Sequence, residues 1–124
     1  MIVPQPAFYM LKCEFQAPPG FPKPSCVNSE NNRLFDYLAG KLMENGLSQT
    51  VVPVRTSCMN RCSLGPVMLV EPGHHMYVGL NEEKIDKIVS SHIIEGEPVK
   101  EYLIEDDLWA EAISPKEARK MAGL

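Results

Sequence analysis

Four cysteines, Cys13, Cys26, Cys58 and Cys62, are the residues of this 124-residue chain best suited to chemistry. They fall as C-x12-C, a long interval, then C-x3-C, and the chain holds no others. Four thiolates are the number a [2Fe–2S] centre takes, two for each iron, and such a centre does one-electron chemistry. Rival uses of the same thiols fit less well. A disulfide framework belongs to small secreted chains, and Met1-Ile2-Val3-Pro4-Gln5-Pro6 lacks the basic start and apolar core of a signal peptide. Structural zinc draws on short C-x2-C knuckles, whereas one pair here is wide and the other is spaced by three. A dithiol redox site needs C-x2-C after the first strand, but Cys13 is followed by Glu14-Phe15-Gln16. A zinc-stapled or redox-sensing interaction domain remains the alternative to an electron carrier.

The neighbours of the cysteines are those of stiff loops. Cys58-Met59-Asn60-Arg61-Cys62 runs into Ser63-Leu64-Gly65-Pro66, so both sulfurs lie on one turn and the glycine lets backbone N–H groups approach an anionic group. Pro18, Pro19, Gly20, Pro22 and Pro24 precede Cys26 and exclude a helix or a central strand there. Met59 and Leu64 are candidates either for an apolar cover over the centre or for ordinary core. Arg61, between two cysteines, is placed to offset negative charge, while Lys23 reads as a solvated loop residue.

The elements that must position these loops follow from periodicity. Residues 7–12 read as a strand ending at Cys13. Asn28 or Ser29 would cap a helix running to about Asn45, with Leu34, Leu38 and Leu42 on one face, widened by Phe35 and Met43, and Gly46 as its stop. Thr50 to Arg55 is β-branched and extended, and Pro53 sends it to a sheet edge. Val67 to Val70 reads as a buried strand, with Met76 to Leu80 as its hairpin partner across Glu71-Pro72-Gly73-His74-His75. Asn81 caps a second helix carrying Ile85, Ile88, Val89 and His92 before Gly96. The order is β-α-β followed by β-β-α, an α/β sandwich with a mixed central sheet flanked by helices.

With these segments in place the chain resembles the thioredoxin-like [2Fe–2S] ferredoxins, the family of the Shethna-type protein I ferredoxins. The matching pieces are the strand ending at Cys13, Pro18-Pro19-Gly20 before Ser25-Cys26, Cys58 to Cys62 with Gly65-Pro66-Val67, Gly79, and Glu95-Gly96-Glu97-Pro98-Val99. The resemblance covers roughly residues 7–104. It implies a thioredoxin-like fold, one [2Fe–2S] cluster per chain near the surface, ligation by Cys13, Cys26, Cys58 and Cys62, and a homodimer. Cys13 with Cys26 on one iron and Cys58 with Cys62 on the other is the expected sharing. The related two-iron subunits of respiratory complex I and NAD-linked hydrogenases have a shorter first cysteine spacing and an extra helical region ahead of it. With x12 and only twelve residues before Cys13, this chain reads as a free-standing carrier serving redox donors and acceptors. By analogy with other thiolate-ligated clusters its potential should lie on the order of a few hundred millivolts negative.

Composition agrees and excludes other classes. Twelve basic against sixteen acidic residues give a net charge of −4, which argues against a nucleic-acid footprint and favours basic patches on redox partners. No apolar stretch approaches a membrane span, and a cytoplasmic location is expected. His74 and His75 read as exposed turn residues and His92 as a partner for the helix C-terminal dipole. No paired acid/base set, Ser-His-Asp arrangement or phosphate-binding glycine loop stands out, so no enzymatic activity is expected. Residues 1–104 form the expected domain and 105–124 a C-terminal extension. There Ser114-Pro115-Lys116-Glu117 opens a short helix stopped by Gly123. That extension is expected to dock on its own core, with a docking element for a redox partner as the alternative.

Overall fold

A computed structural model of the chain describes residues 2–16, 19–20, 32–57 and 64–124. Four strands form one mixed sheet: β1 (Phe8–Cys13), β2 (Val51–Thr56), β3 (Met68–Glu71) and β4 (His75–Tyr77), in the spatial order β2-β1-β3-β4. β1 runs parallel to β2 and antiparallel to β3, and β3 forms a hairpin with β4. Helix α1 (Leu34–Glu44) makes the crossover between the parallel pair, and α2 (Glu82–Lys87) follows the hairpin. The predicted β-α-β-β-β-α order is the one observed. Pro53 lies on β2, which is an edge strand, where a missing N–H costs no ladder bond.

Period-two alternation sorts the sheet into two unlike faces. On one face Met10, Val51, Met68, Val70 and Tyr77 pack against Leu34, Leu38 and Leu42 of α1 and against Ile85, Ile88, Val89 and Ile93. The predicted stripe of α1 is therefore its core face. Phe35 and Met43 do not widen it. Met43 is exposed, and Phe35 lies under the Arg55 guanidinium, 4.0 Å from its ring centre. Within the described residues the helix begins after Arg33, which makes no side-chain cap, and a start at Asn28 or Ser29 falls outside them. The α1 stop is as read: Gly46 takes φ 69°, and Leu47 N–H reaches back to the Leu42 carbonyl at 2.9 Å. α1 is tied to α2 by the Tyr37 hydroxyl, which donates to Asp86 at 2.8 Å.

α2 opens on the Asn81 side chain, which accepts from Lys84 N–H at 2.8 Å, as its sequence predicts. It then continues as a wider π-helical stretch, Ile88–Ile94. Ile88, Val89, His92 and Ile93 of this stretch are all buried. His92 is accordingly buried and is no exposed dipole partner. The Tyr77 hydroxyl accepts from Val99 N–H at 3.1 Å and shares a hydrogen bond with His92 Nδ1 at 2.6 Å. His75 also departs from the reading as a turn residue. It begins β4, half-buried, with its ring edge-on to His92 at 4.8 Å. His74 does sit exposed in the turn, at φ 56°, stacked on Trp109.

The second sheet face holds a smaller core of Cys13, Val67, Met76 and Ile104, with Phe15, Leu64, Leu69, Val78 and Trp109 half-buried against it. The C-terminal segment covers only this end of the face. Beyond Trp109 the chain leaves the body. α3 (Pro115–Met121) is capped by Ser114, whose hydroxyl accepts from Glu117 N–H at 3.2 Å, but none of its residues is buried. The extension thus folds locally as predicted and does not dock on its own core past Trp109. Among the described residues no helix is long and apolar enough to cross a membrane.

Candidate metal centre

Of the four predicted ligands, Cys13 lies within the described residues, while Cys26, Cys58 and Cys62 lie outside them. Cys13 is the last residue of β1, fully buried and not in a disulfide. It is fixed by the sheet on both sides. Its N–H donates to the Val67 carbonyl at 3.2 Å, and Glu14 N–H carries the parallel ladder one step further to Thr56 at 2.9 Å. Its thiol points to Ser57, donating to that carbonyl at 3.1 Å. Ser57 is the residue before Cys58.

The same sulfur shares an apolar cluster with Val67 and Leu64, the described residues just after Cys62. Both ends of the C-x3-C loop are therefore anchored beside Cys13: one by a hydrogen bond to its sulfur, the other by packing. Six residues separate Ser57 from Leu64 in the sequence. A free thiol buried at a strand terminus and bonded to the residue before Cys58 is a soft donor of the kind that holds iron–sulfur groups and zinc. Leu64 lines this cluster, in keeping with its candidacy as a cover; Met59, Arg61 and Lys23 fall outside the described residues.

The face of β1 opposite the sulfur carries charges that sequence inspection passed over. Lys12 is fully buried, and its ammonium donates to the Cys13 carbonyl at 3.1 Å and to Glu14 Oε2 at 2.6 Å. Glu14 Oε1 is held by Arg55 at 3.0 Å, and Arg55 reaches Asp36 at 3.1 Å. The signal was available: Lys12 falls in step with Phe8 and Met10, so alternation alone aims it at the core. Among the described residues no group of three or more His, Cys, Asp or Glu stands ready for a metal ion.

A mixed four-stranded sheet with a βαβ start, helices on one face and a buried cysteine at a strand end defines a thioredoxin-like α/β protein. No family model matches the chain. A 2Fe-2S ferredoxin of Aquifex aeolicus (strain VF5) is 34% identical over 97 residues, 77% of this chain and 87% of that protein. A 2Fe-2S ferredoxin of Clostridium pasteurianum is 31% identical over 75 residues, 60% of this chain and 74% of that protein. The crystal structure of the wild-type thioredoxin-like [2Fe-2S] ferredoxin from Aquifex aeolicus matches with a TM-score of 0.73 at 32% identity, covering 82% of this chain and all of that one. This chain belongs to the thioredoxin-like [2Fe–2S] ferredoxins, a family of iron–sulfur electron carriers.

Proposed function

We propose that the protein carries single electrons on one [2Fe–2S] cluster held by Cys13, Cys26, Cys58 and Cys62, and has no substrate chemistry of its own. The observation that carries this reading is the Cys13 thiol, buried at the end of β1 and 3.1 Å from the carbonyl of the residue preceding Cys58. Cys26, Cys58 and Cys62 complete the set because ligation by four thiolates needs them and the chain has no other cysteine. When bound, the cluster supplies a site where one iron changes valence by a single electron.

The residues around it perform the rest. β1 and β2 hold the Cys13 backbone in register, so the ligand moves little between states. Val67, Leu64, Met76 and Ile104 keep water from the buried side of that sulfur. Such a dry side disfavours added negative charge and pulls the potential down, in keeping with a low-potential carrier. The acidic balance of −4 suits brief, salt-sensitive encounters with basic patches on donor and acceptor proteins. Residues 1–104 act as the ferredoxin domain and 105–124 as an appended arm. The cytoplasm, where thiols are kept reduced, is its compartment.

A homodimer belongs to the same proposal. Tyr9, Leu11, Val52, Val54 and Leu69 lie on the sheet face away from α1 and α2, and are half-buried or exposed. A second copy seated there would cover them.

Anaerobically purified protein should be reddish-brown, hold two irons and two inorganic sulfides per chain, bleach with dithionite and give a single-spin EPR signal when reduced. Replacing any one of the four cysteines by serine should lose or alter that chromophore. Colourless protein with stoichiometric zinc would favour the zinc-stapled reading instead.

A further inference from the structure

Among the described residues, Lys12 is the one Lys, Arg, Asp or Glu that is buried. A lysine taken wholly out of water is costly unless its charge is paired and its protons are bonded. Here both conditions are met beside a proposed ligand. The ammonium sits 3.1 Å from the Cys13 carbonyl and 2.6 Å from Glu14 Oε2. Resting on the carrier reading above, we infer that Lys12 is a positioning residue that raises the reduction potential of the cluster, with Glu14 as the opposing charge that moderates it.

The charges at this place differ in how far water screens them. The Glu14 carboxylate is shared between Lys12 on one oxygen and Arg55 on the other, so two cations face one anion. Asp36 also meets Arg55, but it is 73% exposed and water screens it. Arg55 is itself half in water, whereas the Lys12 side chain is at 0% exposure. What stays dry is the Lys12–Glu14 pair, and its positive end is the one bonded to the Cys13 carbonyl. Reduction adds an electron to a site that four thiolates already make anionic. A fixed cation in a low-dielectric setting favours the reduced form more than the same charge would on the surface.

The chain has no evident packing need for a charge at this position. Lys12 stands in register with Arg55 on one side and Met68 on the other, on the face lined by Met10, Val70 and Tyr77. Methionine would fill the same length of space. A charge kept there at a desolvation cost is thus best explained by the electrostatics of the strand end.

The test uses the full-length holoprotein with Lys12→Met and Glu14→Gln, read by potentiometric titration of the visible and EPR signals. Lys12→Met should keep the cluster spectrum and shift the potential downward. A loss on the order of tenfold in the reduced-to-oxidised ratio at fixed applied potential corresponds to about 59 mV for one electron. Glu14→Gln should shift it upward. A purely structural role would loosen the strand end in both variants without giving shifts of opposite sign. An unchanged or raised potential in Lys12→Met with its cluster intact overturns the inference, as does a downward shift in Glu14→Gln. If Lys12→Met does not assemble a cluster, the direction in Glu14→Gln decides alone. Wild-type protein lacking iron and sulfide is a separate outcome: it overturns the carrier reading and takes this inference with it.

Discussion

At the scale of single residues, His92 shows how burial converts a common titrating group into a stability element. Burial, and next the neighbouring His75, lower its pKa from 6.5 to about 4, so the folded protein holds a neutral imidazole hydrogen-bonded to Tyr77. The sign follows from linkage. Between about pH 4 and 6.5 the unfolded chain binds more protons at this residue than the folded one. The contribution of His92 is thus complete above pH 6.5 and is lost as pH falls toward 4. Between pH 7 and 5 the loss should be about 2 kcal/mol. His92→Gln, whose amide can donate to or accept from Tyr77, should flatten that part of the profile in denaturant unfolding. An equally steep fall in the variant would assign the pH dependence to other groups. The Cys13 thiol makes the contrasting case. Its importance lies in where the strand aims it, at the first residue of a loop that carries two further thiols.

At the scale of elements, the C-terminal segment divides at Trp109. Up to that residue the chain is part of the body: Ile104 and Trp109 pack on the cluster that contains Cys13, and Ile104 N–H donates to the Met76 carbonyl at 2.8 Å. After it, α3 satisfies its own termini through Ser114 and through Leu124 N–H to the Arg119 carbonyl, yet offers nothing to the core. Truncation after Ala110 should therefore leave the thermal midpoint within about 1–2 °C of the full chain, because little packed surface is lost. Truncation after Glu105 should lower it by several degrees and speed bleaching of the chromophore in air, because it uncovers the buried side of Cys13. Equal midpoints for the two truncations would mean that Trp109 contributes nothing to that cover. The helix was legible in the sequence from its capping box. Its lack of docking was not, since a cap reports only on local hydrogen bonds.

At the scale of the whole molecule, the described residues close one face of the sheet with helices and cover only one end of the other. Tyr9 is 44% exposed, and Leu11, Val52, Val54 and Leu69 are only half-buried on that open side. A chain that leaves an apolar sheet face in this state gains by covering it with a second copy. Val54→Glu, on the edge strand and pointing away from α1, should abolish the proposed dimer in sedimentation equilibrium while leaving the visible spectrum unchanged. Wild-type protein that sediments as a monomer would refute the dimer and leave the metal centre untouched.

Local chemistry settled a good deal in advance. The strand ending at Cys13, the leucine stripe of α1, the caps at Asn81 and Ser114 and the edge position of Pro53 all depend on neighbours within a turn or a few residues. They can be read from the chain because the forces involved act over a few residues. Tertiary structure decided what depends on distant parts of the chain. Lys12 had to be carried by β1 against Glu14 and Arg55 before its charge acquired a place behind Cys13. His75 and His92, seventeen positions apart, came into ring contact only when β4 and the π-helical stretch packed on the same side of the sheet. Met43 fell outside the core because α1 has a single partner surface, and the width of that surface is fixed by the sheet, not by the helix.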